Sequence, residues 1–350
     1  MKTKSKIAFF TFILIFLLGV KGAKAHDEFT KLIKKEYAIN QDAQITVNNR
    51  FGKIECTDWE KNAVSFEVKI TVTAANQEEA NKMFDRINID FLDSPSQVSA
   101  NTTIKETRFH GKSNFSIDYK INIPVTVNLD LTNKFGDIFL NELQGKCRIN
   151  IGYGDLEINK LDNSDNLLDI QFGDAKVKWI KGAVVILKYS EMDLDYAGSL
   201  RLNSKFSDLV ARKIISLNVD LEGGKLNMDN SSAIDSRSKF SDLEIQRVEQ
   251  SINLDIQYGS CEIHEMPAEY PDIKIVNKYG DVSITLNNKA KYILDADLKF
   301  CDLDFPEENA KINFRSVSPT KNSYRGVVGG KDSPSGNIFI RSEFGNVSLK

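Results

Sequence analysis

The chain has 350 residues, is 41% hydrophobic and 27% charged, and contains 21 Phe, 10 Tyr and only 7 Pro. That composition belongs to a globular protein with ample apolar material for a long core, and it excludes a disordered or collagen-like chain. The 46 basic and 49 acidic residues show no basic excess, which argues against a nucleic-acid partner.

The first 25 residues differ from the rest. Lys2, Lys4 and Lys6 form a basic start, Ile7 to Val20 is an apolar run broken by Thr11 and Gly19, and Ala23-Lys24-Ala25 suits a signal peptidase. These parts predict a secretory signal peptide over residues 1–25. The apolar run is 14 residues, shorter than a spanning helix needs, and no second run of spanning length follows. No Cys follows it, which argues against a lipoprotein anchor. Cleavage removes five Lys and leaves 41 basic against 49 acidic residues, a net charge of about −8.

Residues 26–130 read as a capping region. Val64 to Thr73 alternates as a strand, and Gln77 to Ile87 carries Glu78, Glu79, Ala80, Met83, Phe84 and Ile87 at helical spacing. Strand-like segments follow at Val98–Glu106, Phe115–Ile123 and Val125–Leu131.

Residues 131–305 carry a repeat centred on an aromatic-Gly/Ser-Asp triplet, foreshadowed at Phe51-Gly52-Lys53. It starts at Phe135-Gly136-Asp137, and from Phe135 the aromatic positions recur at spacings of 18, 19, 17, 17, 34, 18, 21, 21 and 44. The spacing of 34 is two repeats of 17, with Gly223-Gly224-Lys225 in the place of the missing aromatic triplet. With the aromatic numbered zero, apolar residues recur at −4 (Ile149, Val185, Leu202) and −2 (Ile151, Ile170, Leu187). They return at +3 (Ile138, Leu156, Leu209), +5 (Leu140, Ile158, Leu194) and often +8 (Leu143, Leu161, Ile180). Period-two alternation predicts strands, and the change of parity at the triplet predicts a corner. The expected fold class is all-β: a single-stranded β-solenoid of about ten coils, with one short helix in its N-terminal cap. The aromatic shares the parity of the inward aliphatic positions, which predicts that it stacks in the core. Residues 306–350 are expected to be a long polar loop over Pro306–Gly336 and then a last coil, Asn337–Leu349.

The four cysteines, Cys56, Cys147, Cys261 and Cys301, are even in number, yet the register separates them. Cys261 and Cys301 fall two coils apart, roughly 9.6 Å axially, beyond the reach of a disulfide. Cys56 and Cys147 are expected to lie further apart still. All four are read as free thiols, mostly buried.

The aromatic-Gly-Asp-aliphatic repeat follows a strand-helix-strand region with a Glu-Glu-Ala helix. The C-terminus combines Val327-Val328-Gly329-Gly330, Asn337-Ile338-Phe339-Ile340 and Phe344-Gly345-Asn346-Val347. The whole resembles the adhesin-type β-strand-repeat proteins common in the Bacteroidota, related to auto-transporter adhesin heads. The resemblance implies a right-handed β-helix-like fold on or outside the cell envelope. The chain departs from an autotransporter: no membrane-barrel segment follows, and it ends in Leu349-Lys350.

Position +2 forms an acidic column that includes Asp137, Asp155, Asp174, Asp208 and Asp242. Stacked carboxylates repel unless compensated. Compensation is expected from Lys134, Lys188, Lys205, Lys239, Lys278 and Lys299 at −1, with the Asp also bonding turn amides. Calcium on the Asp column is the alternative, but the Gly-Gly-x-Gly-x-Asp repeat of calcium-binding β-helices is absent. The repeat without its aromatic, Glu222–Lys225, is expected to be a coil made tolerable by glycine, or else a dent. His26, His110 and His264 share no ligand spacing, and no nucleophile–base arrangement stands out. No catalytic residue, metal or cofactor is expected. The reading is a non-catalytic envelope or surface module for adhesion or interaction, in the periplasm, at the outer membrane or outside the cell. Its candidate partners are a surface glycan or an envelope protein. The enzymatic alternative is a glycan lyase or hydrolase on a β-helix.

Overall fold

The structure is a computed structural model that describes residues 27–105, 114–269, 272–330 and 334–350. The expected signal peptide lies outside these residues. The described chain is all-β with a single α-helix, and its strands join in one 24-stranded sheet. No helix among the described residues is long and apolar enough to cross a membrane.

The repeat becomes two parallel ladders. The first strand of a repeat, for example Cys147–Gly152, pairs with Asn128–Asn133 on one side and Asn166–Gln171 on the other. The second strand, Leu156–Leu161, pairs in the same sense with Ile138–Leu143 and Asp174–Lys188. Each residue thus faces its equivalent one repeat away, as Ile149 does Leu131 and Leu168. The aliphatic columns at −4, +3 and +5 stack inward, with Ile149, Val185, Leu156 and Ile158 all at most 1% exposed. Each such side chain contributes roughly 1.5–3 kcal/mol by leaving water.

The aromatic column faces outward, contrary to expectation. Its ten members from Phe135 to Phe344 are 39–66% exposed. In nine of the ten the cause is the backbone: Tyr153, Phe172, Tyr189, Phe206, Phe240, Tyr258, Tyr279, Phe300 and Phe344 have φ of 48–59°. Alternation of faces holds only while each residue is extended. One left-handed residue breaks that phase and swings its Cβ away from the core. The corner therefore belongs to the aromatic itself, and the next residue is Gly for a different reason. A Cβ on Gly154 or Gly173 would lie 2.3 or 2.0 Å from the carbonyl oxygen of the Gly in the preceding repeat.

Both ends depart from the simple repeat. Gln44–Asn48 and Ile54–Asp58 stack on the Phe135 repeat, with Phe51 bridging to Phe135. The repeat body therefore begins well before residue 131, and the segment between is an excursion. Part of that excursion returns to add the next parallel layer, through Gln97–Ile104 and Asn114–Ile123. Ala63–Ala74 then pairs antiparallel with Asn114–Ile123, and Asp27–Ala38 antiparallel with Ala63–Ala74. Asp27–Ala38 is an exposed edge carrying Lys31, Lys34 and Lys35, which discourages further pairing. The helix spans Gln77–Phe84, and the Asn76 side chain accepts a hydrogen bond from the Glu79 amide at its start. It ends before Ile87, which begins the strand Ile87–Ser94 instead.

At the other end the expected long loop is a hairpin, Ala310–Val317 against Lys321–Val328, which pairs antiparallel with Tyr292–Lys299. The expected last coil is not last in space. Gly336–Glu343 inserts between Asp272–Lys278 and Tyr292–Lys299, parallel to both. Arg325 and Arg341 each bind both Asp295 and Asp297 across these strands, at 2.9–3.3 Å.

Candidate functional site: the interrupted aromatic column

From Tyr153 onward the left-handed backbone of the aromatic presents its ring edgewise to solvent and face to face with its neighbours. Consecutive rings from Phe51 to Phe206, and again from Phe240 to Phe300, lie 4.8–5.5 Å apart at 1–16°. That spacing is the strand spacing, so the sheet itself sets the stack. At the far end Phe344 sits between Tyr279 and Phe300, as the inserted strand requires.

The Asp column is a backbone device. Asp137 Oδ1 accepts from the Asp155 amide at 2.9 Å, and Asp155 Oδ1 from the Asp174 amide at 3.0 Å. Asp208, Asp242 and Asp281 accept in the same way from Lys225, Ser260 and Asn346. Each carboxylate thus satisfies an amide that the corner leaves out of the ladder. The expected Lys/Asp pairing is replaced by pairing within the −1 column: Lys205 binds Glu222 at 2.7 Å, and Lys278 binds Glu343 at 3.9 Å. Neighbouring residues at −1 differ in sign there and lie one strand spacing apart, whereas the +2 carboxylates already hold amides. The hydrogen bond and charge of Lys205 hold the Glu222 carboxyl below its ordinary range. Among the described residues no group of three or more His, Cys, Asp or Glu is arranged to hold a metal.

His264 stands between Glu244, at 3.5 Å, and Glu262, at 3.8 Å, while His26 and His110 lie outside the described residues. Cys56, Cys147 and Cys261 are buried thiols and Cys301 is half-buried. Burial pushes the Cys56 and Cys261 thiols up to about 12, and Cys147 higher, so they stay protonated. Cys56 and Cys147 are nearer than the repeat count suggests, because the Phe51 layer lies directly on the Phe135 layer; Cys56 adds to the burial that raises Cys147. Cys261 and Cys301 are further apart, since the inserted strand makes them three layers distant.

The column lapses once in its middle. Gly223 and Gly224 occupy the aromatic and following positions between Phe206 and Phe240, with φ of 74° and 101°. Gly223 keeps the left-handed corner without a ring. One layer on, the core changes as well. Ser236 and Ser238 fill −4 and −2 of the Phe240 repeat, where Val219 and Leu221 stand one layer before and Leu254 and Ile256 one layer after. Both serines are at most 2% exposed, and neither hydroxyl has a partner. Sequence periodicity singles out Gly223–Gly224; the serines escape it because Ser204 and Ser342 also stand at −2, where they bond the carbonyls of Ser207 and Gly345. A surface groove of about 710 Å³ passes the same layers, lined by Asp193, Asp195, Val210, Arg212, Met228 and Asp229. A shallower depression of about 450 Å³ reaches Gly224 beside Tyr189, Phe206 and Asp208.

No family model matches the sequence, and no curated protein matches it. Among solved structures, a "putative adhesin" from Bacteroides fragilis is 12% identical over 91% of this chain and 97% of its own, with a TM-score of 0.31. A "putative cell adhesion protein" from Clostridium sporogenes is 10% identical over 92% and 99%, with a TM-score of 0.26. A "putative lipid binding protein" from Parabacteroides distasonis is 12% identical over 91% and 96%, with a TM-score of 0.22.

Proposed function

We propose that this chain is an exported, non-catalytic single-stranded β-solenoid that serves adhesion or interaction at the cell envelope. The observation that carries this reading is the outward aromatic column. Ten rings, nine of them on a left-handed backbone, are held 39–66% exposed along one ridge that lapses only at Gly223, rather than in the core. A ridge with one ring per layer, flanked by charged columns at −1 and +2, offers a repetitive surface suited to a repetitive partner such as a glycan chain, or to an extended envelope protein. The proposed organisation is a signal peptide over 1–25, a cap and excursion over 26–130, and a repeat body closed by the C-terminal hairpin and inserted strand. The buried, protonated thiols and the Asp carboxylates committed to amides leave these groups to structure rather than chemistry.

Two experiments test this. N-terminal sequencing of the native protein, with cell fractionation, is expected to give a chain starting near His26 in the envelope or medium; an intact Met1 in the cytoplasm refutes export. A panel of polysaccharides is then assayed for retention of the mature protein and for reducing-end or unsaturated products. Retention without turnover is expected, and turnover moves the reading to a glycan-active enzyme.

A further inference from the structure

We propose that this chain stacks end to end on further copies of itself, with the edge strand Ala310–Val317 of one copy pairing antiparallel with Ile87–Ser94 of the next. This goes beyond the proposed function and does not rest on it. Exposed apolar side chains mark the two ends. Outside the aromatic column, the large exposed hydrophobics among the described residues are Leu32, Leu92, Val210, Ile293, Phe314 and Val317, and four of the six stand on terminal strands. Ile87–Ser94 and Ala310–Val317 are open edges of the same ladder. Among the described residues the first pairs only with Gln97–Ile104 and the second only with Lys321–Val328. Each is eight residues long. Gln97–Ile104 runs parallel to the repeat strands, so Ile87–Ser94 runs against them. Two antiparallel steps from Tyr292–Lys299 return Ala310–Val317 to the direction of the repeat. Copies stacked in one orientation therefore bring these edges together antiparallel, the more stable of the two pairings. Ile89 and Phe91 on one edge, and Ala310 and Ile312 on the other, lie half-buried against the core and would be covered by the next layer.

Charge identifies the partner as a second copy and selects unlike ends. Ile87–Ser94 carries Asp90 and Asp93 and no base. Ala310–Val317 carries Lys311 and Arg315 and no acid, with Arg315 already sharing Glu307. On the other ladder the signs are exchanged. The middle of Asp27–Ala38 carries Lys31, Lys34 and Lys35, its acids standing toward the ends of the strand. At the opposite end of the molecule stand Asp304 and the turn residues Glu307 and Glu308. Charged edges of one sign bar pairing of like with like, whereas opposite signs at the two ends admit head to tail. The shapes agree. Beyond the Phe51 layer, the ladder ending in Asp27–Ala38 is one strand longer than the ladder ending in Ile87–Ser94. At the other end it is the shorter, stopping at Leu303–Asp304 while its neighbour goes on through the hairpin. A head-to-tail contact of this kind repeats without closing, so the stack is open-ended.

The test is sedimentation velocity of the mature protein at low salt, from about 10 μM to about 1 mM, with far-UV circular dichroism to check that each variant folds. The mass is expected to rise through dimer, trimer and larger species and to fall back as salt is added. Asp90→Lys with Asp93→Lys, and separately Lys311→Glu with Phe314→Glu, should each weaken association about tenfold or more. An equimolar mixture of the two should recover it, because the intact Ala310–Val317 edge of the first meets the intact Ile87–Ser94 edge of the second. Tyr258→Ala, in the aromatic column, should leave association unchanged. A protein still monomeric at about 1 mM overturns the proposal. So does a dimer with no larger species, which would mark a two-fold contact; these two outcomes need no variant. Association that both charge variants leave intact and Tyr258→Ala abolishes also overturns it, by placing the contact on the aromatic ridge.

Discussion

Substitution of Phe172 separates the two energies that meet at each corner. Its ring stacks on Tyr153 at 4.8 Å and 5°, and on Tyr189 at 5.2 Å and 4°. Two such pairs are worth about 1–3 kcal/mol beyond simple area burial. Its φ of 57° costs a non-glycine residue about 1–2 kcal/mol. Phe172→Ala removes the stacking and keeps the backbone cost. Phe172→Gly removes both, and against that relief Gly loses about 0.5–1 kcal/mol more chain entropy on folding than Ala. Alanine should therefore be the least stable of the three, with glycine recovering roughly 0.5–1 kcal/mol. In an ordinary strand the order of Gly and Ala would be the reverse. Urea unfolding followed by circular dichroism measures this. An alanine variant as stable as the parent, or more stable than the glycine variant, would refute the account of the corner.

Ser236→Val and Ser238→Val exchange unpartnered hydroxyls for the apolar groups of adjacent layers, and each should raise stability by about 1 kcal/mol in the same assay. Ellman titration should find four thiols in the denatured, unreduced protein, and in the native protein rapid reaction at Cys301 alone; fewer than four would reveal a disulfide. Gly345→Ala would set a Cβ 1.8 Å from the Gly280 carbonyl oxygen, so the inserted C-terminal strand should loosen, with a loss of at least about 2 kcal/mol and faster amide exchange over Asp272–Lys278. Burial opposes ionisation of Asp297, but Ser323, Arg325 and Arg341 outweigh it and hold the carboxyl below its ordinary range. A lowered folded-state value stabilises above the unfolded value near 4 and is lost as pH falls through the folded one. Asp297→Asn should therefore lower stability at pH 7 and flatten its decline below about pH 4, which melting temperatures across that range would show.

Much of the fold is legible along the chain. The aliphatic columns at −4, −2, +3, +5 and +8 repeat with the layer spacing and are buried as their alternation implies. The Asn76 cap and the Ala80, Met83, Phe84 face mark the helix. Two strands are hidden. In Asp27–Ala38 only Phe29, Ile33 and Tyr37 are half-buried, a spacing of four that imitates a helix because Lys31 and Lys35 share their face. Ala310–Val317 is exposed almost throughout, as an edge strand on one partner can be. The break at Gly223 shows in the spacing, whereas the unpartnered hydroxyls of Ser236 and Ser238 show only once their surroundings are known.

The sequence alone determined that one aromatic recurs at every corner, because a repeated local environment demands a repeated residue type. Which way that aromatic points was decided by the tertiary structure, since inward and outward placements leave the same spacing and differ by one backbone dihedral. The insertion of Gly336–Glu343 between two earlier layers was likewise decided in three dimensions. Parallel pairing joins any strands of matching register, and chain order does not record which of them are neighbours.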